Sequence, residues 1–133
     1  MRQAIFAAVA AVLLLVPAAA AFAQGCDSYE LAYGDAPCAS ALTASSLQAR
    51  DGSRVEIWTF SGSANDCVDI QMTSTDFPPY LQLIQGSRTG PVVAEREGTL
   101  HVRLPSSGSY WVKATSAGRG DQRGSYELAL VRC

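Results

Sequence analysis

One histidine and four cysteines are the residues of this 133-residue chain best equipped for chemistry. Histidine is the only side chain whose unperturbed charge change falls near neutral pH, so His101 is the one ready general base. A hydrolytic triad needs such a base beside a nucleophile and oriented by a carboxylate. The local pattern argues against that role. In residues 99–104, Leu100, Val102 and Leu104 alternate with Thr99, His101 and Arg103. The apolar set belongs in a core, which leaves His101 on an outer strand face. No GxSxG, HExxH, P-loop or GxGxxG stretch occurs. A glycosidase pair needs one acid in an apolar pocket. Asp66 and Asp69 have opposite strand phase, and Glu95 and Glu97 sit by a turn. The chain is therefore read as a non-enzyme, with an unrecognised enzyme centred on His101 as the weakest alternative.

The cysteines are Cys26, Cys38, Cys67 and Cys133, with no CxxC pair. With a single histidine that spacing does not describe a zinc site. An even number in an exported chain reads as two disulfides. Cys26–Cys38 closes a short, turn-rich loop at little entropic cost. Cys67 and Cys133 both fall outward, because Val68, Ile70 and Met72 and then Tyr126, Leu128 and Leu130 fall inward. Cys67–Cys133 is therefore the second bridge expected, although phase sets the face but not the neighbour. Cys38–Cys67 with Cys26–Cys133 stays open, should the N-terminal segment cross the outer face.

Export is inferred from residues 1–23. Arg2 gives a positive start, residues 4–16 are apolar, Pro17 breaks the run, and Ala21-Phe22-Ala23 is a small-x-small cleavage signal. Cleavage there leaves no transmembrane anchor and gives a periplasmic or secreted protein. Acylation at Cys26 is a rival reading that would strand three cysteines. Cleavage removes one of ten basic residues (Arg2) and none of the twelve acidic ones, moving the net charge from −2 to −3. Such mild acidity argues against nucleic acid, which requires a basic stripe.

The elements that position these residues are strands. From residue 54 onward apolar residues alternate and Gly, Pro, Ser and Asn punctuate. Strands are expected at 54–60, 66–74, 80–85, 99–104, 109–115 and 125–133. Residues 54–60 are apolar on both faces, as in a central strand whose outer face is partly covered. The fold expected is all-β, a two-sheet sandwich. Residues 24–44 look like an N-terminal extension pinned by a disulfide, and residues 45–133 like a single, monomeric domain. Residues 116–124, SAGRGDQRG, form a polar loop.

If residues 104–110, LPSSGSY, are a hairpin within one sheet, Arg103 falls opposite Trp111 and His101 opposite Lys113. An exposed Trp111 ringed by Arg103, His101 and Lys113 could stack on a sugar and hold an anionic group. These four are the candidate ligand surface.

The order of the pieces resembles the bacterial pre-peptidase C-terminal domain family over residues 45–131. The matching residues are Leu47 and Asp51; Glu56, Trp58, Phe60 and Gly62; Val68, Ile70, Met72 and Ser74; Asp76, Phe77, Pro79, Tyr80 and Leu81; Leu104, Pro105, Gly108 and Tyr110; and Gly124, Tyr126, Leu128 and Leu130. The resemblance implies a jelly-roll-like sandwich that accompanies secreted peptidases, here without a host enzyme. SYELA occurs at 28–32 and 125–129. The second copy is the family's closing strand and the first has unrelated flanks, so no duplication is inferred. Many members of the family resemble calcium binders. Here Pro78 stands at an acidic position, which leaves Asp76, Glu95, Glu97 and Asp51 as weak ligands. No cofactor is expected. The functional expectation is a non-catalytic exported module that binds a polymer, glycan or protein, or assists a secreted or envelope protein. The alternative is a secreted peptidase inhibitor acting through residues 116–124.

Overall fold

A computed structural model describes residues 26–133. The expected signal peptide, residues 1–23, lies outside the described residues. Nine strands follow in order: β1 (Cys38–Leu42), β2 (Leu47–Gln48), β3 (Arg54–Gly62), β4 (Cys67–Thr73), β5 (Pro79–Gln85), β6 (Val92–Glu97), β7 (Thr99–Arg103), β8 (Gly108–Ser116) and β9 (Gly124–Arg132). They form two antiparallel sheets, a four-stranded one in the order β1-β9-β4-β7 and a five-stranded one in the order β2-β3-β8-β5-β6. The architecture is a jelly-roll-like sandwich.

Alternation builds the core. Trp58, Val68, Ile70, Leu81, Leu83, Tyr110, Val112, Ala114 and Leu128 are fully buried between the sheets. Burying a large apolar side chain stabilises by about 1.5–3 kcal/mol relative to leaving it exposed. One slip of register would carry all of a strand's apolar residues to water. The closing strand starts at Gly124, whose φ of +140° suits glycine. A Cβ there would meet Asp76, whose Oδ2 instead accepts the Ser125 N–H at 2.8 Å.

The N-terminal extension is pinned by the Cys26–Cys38 disulfide as expected, and it also pairs with the sandwich. Cys38–Leu42 is an edge strand that pairs with β9 from Cys38↔Leu128 to Leu42↔Gly124. Its small Ala and Ser side chains carry little β signal. The first SYELA runs alongside β3. Leu31 N–H donates to Thr59 O at 2.8 Å, and Thr59 N–H to Tyr29 O at 2.9 Å. The second copy lies in β9, in the other sheet.

Glu56 shares the inward phase of Trp58 and Phe60 and is satisfied by hydroxyls. Ser40 Oγ–H donates to its Oε1 at 2.7 Å, Tyr126 Oη–H to the same oxygen at 2.5 Å, and Tyr29 Oη–H to Oε2 at 2.9 Å. Trp58 Nε1–H donates to Tyr126 Oη at 2.9 Å. Burial, then the Glu56 carboxylate, push the Tyr126 hydroxyl's pKa well above its ordinary value. This network joins both sheets and the N-terminal segment at one edge of the sandwich.

Candidate ligand-binding face

The expected cluster of Trp111, Lys113, Arg103 and His101 is split. Strand β7 belongs to the four-stranded sheet and β8 to the five-stranded one. Residues 104–107 are therefore an arch from sheet to sheet and not a hairpin. An arch also points Leu104 and Tyr110 into the same core, so inward phase could not tell the two connections apart. Tyr110 Oη–H pins the arch by donating to Ser106 O at 2.6 Å. Arg103 faces Cys67, and His101 faces Asp69, across β7–β4. Trp111 lies between Thr59 of β3 and Ile84 of β5.

Trp111 and Lys113 remain together on the outer face of the five-stranded sheet. Three hollows run along that face. The first, about 610 Å³, is walled by Asp51, Tyr80, Gln82, Glu97, Lys113 and residues 116–120. The second, about 410 Å³, shares Ala49, Val55 and Lys113 with the first. The third, about 360 Å³, holds Trp111 and shares Leu47, Ile57 and Arg88 with the second. Strand β2, the turn carrying Arg88 and the loop 116–120 make the relief, by standing over a sheet that would otherwise be open. Val55, on this outer face, is only 5% exposed. This is the partial cover expected over the doubly apolar strand. The Trp111 Nε1–H is buried without a hydrogen-bond partner.

The walls are electrostatically mixed. Ser53 donates to Asp51 Oδ1 through Oγ–H at 2.6 Å and N–H at 3.0 Å, and these bonds hold the Asp51 pKa below the usual carboxylate range. Tyr80 Oη–H donates to Glu95, which raises the tyrosine's pKa. The loop beyond is braced. Arg54 forms two bonds to Asp121, both 3.0 Å, and Arg54 Nη1 donates to the carbonyls of Ala44 and Ser46 at 3.0 and 3.2 Å. Arg123 and then Arg54 hold the Asp121 pKa well below the carboxylate range. Arg119 stays exposed at the tip.

A separate hollow of about 570 Å³ sits by the β1–β9 end of the four-stranded sheet, walled by Ser40, Thr73, Ser74, Ser125 and Glu127. None of these four hollows takes in His101 or Arg103. The His101 side chain is 67% exposed, with Nδ1 2.5 Å from Asp69 Oδ1. Beside it lies the Cys67–Cys133 disulfide, and the other bridge is Cys26–Cys38. Strands β4 and β9 are neighbours, so the two outward cysteines meet.

The weak calcium candidates are dispersed. Asp76 holds the start of β9, Glu95 accepts from Tyr80, and Asp51 and Glu97 line the first hollow. Among the described residues, the group of metal-type ligands that does converge is Cys67, His101 and Cys133.

No family model and no curated protein matches this sequence. Solved structures do match. The pre-peptidase C-terminal domain of a Bacillus anthracis collagenase superposes with a TM-score of 0.53 at 16% identity, over 76% of this chain and 90% of that one. The chain has the fold of a pre-peptidase C-terminal domain. Two PliG proteins, described as periplasmic inhibitors of g-type lysozyme, also superpose on this chain. The one from Aeromonas hydrophila has a TM-score of 0.55 at 14% identity, over 74% of this chain and 85% of its own. The one from Salmonella Typhimurium has a TM-score of 0.50 at 10% identity, over 78% and 96%. At such identities the likeness is one of fold, and function has to be argued from the site.

Proposed function

We propose that this protein is a non-catalytic exported module that binds a polymer along the outer face of its five-stranded sheet. The supporting observation is the continuity of the three hollows, which share walls from Arg119 to Trp111. A small molecule fills one pocket; a row of joined hollows suits an extended chain. A glycan is the favoured occupant. Tyr80 and Trp111 offer ring faces, and Gln82, Asp51, Glu97 and Lys113 offer donors and acceptors of both signs. Two disulfides fit an oxidising compartment, in keeping with a periplasmic or secreted location. The exposure of His101 on an open strand face supports the absence of catalysis.

The test is a glycan array followed by titration of the best hit. Trp111→Ala and Lys113→Ala should each weaken binding about tenfold or more, a loss of 1.4 kcal/mol. Arg103→Ala should leave it unchanged. Equal loss from all three would sink the proposed face.

The braced loop favours a second reading, an inhibitor of a secreted hydrolase. Rigid loops bind with little ordering cost, and loop 116–120 is held by Arg54–Asp121 with Arg119 exposed at its tip. Two fold neighbours described as lysozyme inhibitors lend it weight. Inhibition of g-type lysozyme or of secreted peptidases that Arg119→Ala abolishes would establish this reading over the first.

A further inference from the structure

The convergence of Cys67, Cys133, His101 and Asp69 on the opposite sheet serves none of the roles above. Cys67 Sγ lies 3.9 Å from His101 Nε2, and Cys133 Sγ lies 3.5 Å from His101 Nδ1. One ligand atom from each of Cys67, Cys133 and His101 falls within 4.8 Å of the others. A tetrahedral zinc ion holds sulfur and nitrogen ligands about 3.5–3.8 Å apart. While the two sulfurs are bonded to each other neither has the thiolate charge that a metal needs. We propose that these three residues form a zinc site that is closed while the Cys67–Cys133 disulfide is intact and opens when a dithiol reduces it.

Three features of the site support this. The first is access: Cys133 is exposed and Cys67 half-buried. The second is orientation. Asp69 Oδ1, 2.5 Å from Nδ1, is placed to hold the proton there, the tautomer that gives the metal the Nε2 lone pair beside Cys67; Cys133, which lies nearest Nδ1, has to swing to that side once released. This is the carboxylate–histidine arrangement that fixes metal-binding imidazoles. The third is economy of movement. The Cα atoms of Cys67 and Cys133 are 5.2 Å apart on paired strands, so rotation of side chains alone can separate the sulfurs. Two thiolates and an imidazole select zinc over magnesium or calcium.

The chemistry balances. One thiolate of the dithiol attacks Cys133 Sγ, the S–S bond breaks, and its electron pair stays on Cys67 sulfur, which takes up a proton. The second thiol attacks the dithiol's own bonded sulfur and expels the Cys133 thiolate, which also takes up a proton. The reductant departs as a disulfide, having given two electrons and two protons. Zinc then displaces both thiol protons, and water completes the coordination.

The test uses cobalt(II) as a spectroscopic stand-in for zinc. The full chain carries Cys26→Ser and Cys38→Ser, so that one bridge remains, and a phosphine reduces it. Thiolate-to-cobalt charge-transfer bands should saturate at one equivalent after reduction and be absent before it. His101→Ala and Asp69→Asn, both surface changes, should each weaken binding by about tenfold or more. Zinc should displace the cobalt and raise the melting temperature of the reduced chain. Bands that persist unchanged in His101→Ala, or that also appear in the oxidised chain, would overturn the proposal. So would a folded reduced chain without bands, or an unfolded one that zinc does not refold.

Discussion

The two outer faces of the sandwich are made by the same alternation of side chains and behave differently. On the five-stranded face, strand β2, the Arg88 turn and the braced loop stand over the sheet and leave joined hollows whose aromatic walls, Tyr80 and Trp111, are half-buried. Around His101 on the four-stranded face the strands are open among the described residues, and the His101 side chain projects into water while Asp69 is partly buried beside it. The first face gains shape from its connections, and the second gains strength from a covalent tie between β4 and β9. Concavity in a sandwich is thus a property of loops laid over a sheet, and strand sequence alone does not confer it.

The largest expected effect tests the tie. Opening Cys67–Cys133, which spans 66 residues, by a double Ser substitution should cost about 4 kcal/mol in urea unfolding by the chain-entropy model. Opening Cys26–Cys38, which spans 12, should cost about 3 kcal/mol. A smaller loss for the longer bridge would remove the contrast between the faces.

Next comes the contrast in side-chain burial. Trp111 packs between Thr59 and Ile84 with its Nε1 shielded from solvent, so Trp111→Ala should cost about 2 kcal/mol, roughly half the value of a full core truncation. His101→Ala, at the surface, should stay within about 0.5 kcal/mol. Similar losses at both sites would mean that the faces are equally covered.

A third, smaller effect appears at high pH. Burial, then the hydrogen bond to Asp66, push the Tyr33 pKa up to about 12. A tyrosine raised above its unfolded value of about 10 binds its proton more tightly when folded. Its contribution is complete below pH ~10 and is lost as pH rises towards 12, where the unfolded chain has released the proton. Tyr126 is raised in the same direction. Unfolding free energy measured across this window should fall, and Tyr33→Phe should flatten the fall; a slope identical in the variant would count against the assignment.

The smallest effect is at the loop. The Asp121 carboxylate is depressed by Arg123 and Arg54, so its contribution is present above the ordinary carboxylate pKa and lost as pH falls through the depressed value. Asp121→Asn should make acid unfolding less steep and increase amide exchange in residues 116–124. An unchanged exchange rate there would show that the brace does not order the loop.

Much of this molecule was legible in its sequence. The inward sets Val68, Ile70 and Met72, and Tyr126, Leu128 and Leu130, are buried as their alternation requires. The same phase put Cys67 and Cys133 on one face, where they meet. Three strands were not legible, for separate reasons. Strand β1 is built of small residues, β2 has only two, and β6 carries Glu95, Arg96 and Glu97 on an edge, where charge discourages further pairing. The candidate site was half legible. Trp111 and Lys113 share a face, but pairing them with Arg103 and His101 assumed a hairpin, and inward phase is identical for a hairpin and an arch. The inward-facing Glu56 was seen as a motif residue but not as a partly buried acceptor. Its donors, Ser40, Tyr29 and Tyr126, come from three distant parts of the chain.

Strand β9 lies between β1 and β4, at the centre of its sheet. Among the described strands β9 is the last in chain order, and β1 has no strand partner until β9 is in place. Strands β4 and β7 can pair without it, but the four-stranded layer stays incomplete and β1 stays unpaired. Non-local pairing of this kind delays folding until the distant partner is present. The four-stranded sheet is therefore keyed by its last strand in chain order: removing β9 would part β1 from β4 and leave two separate pieces rather than one shorter sheet.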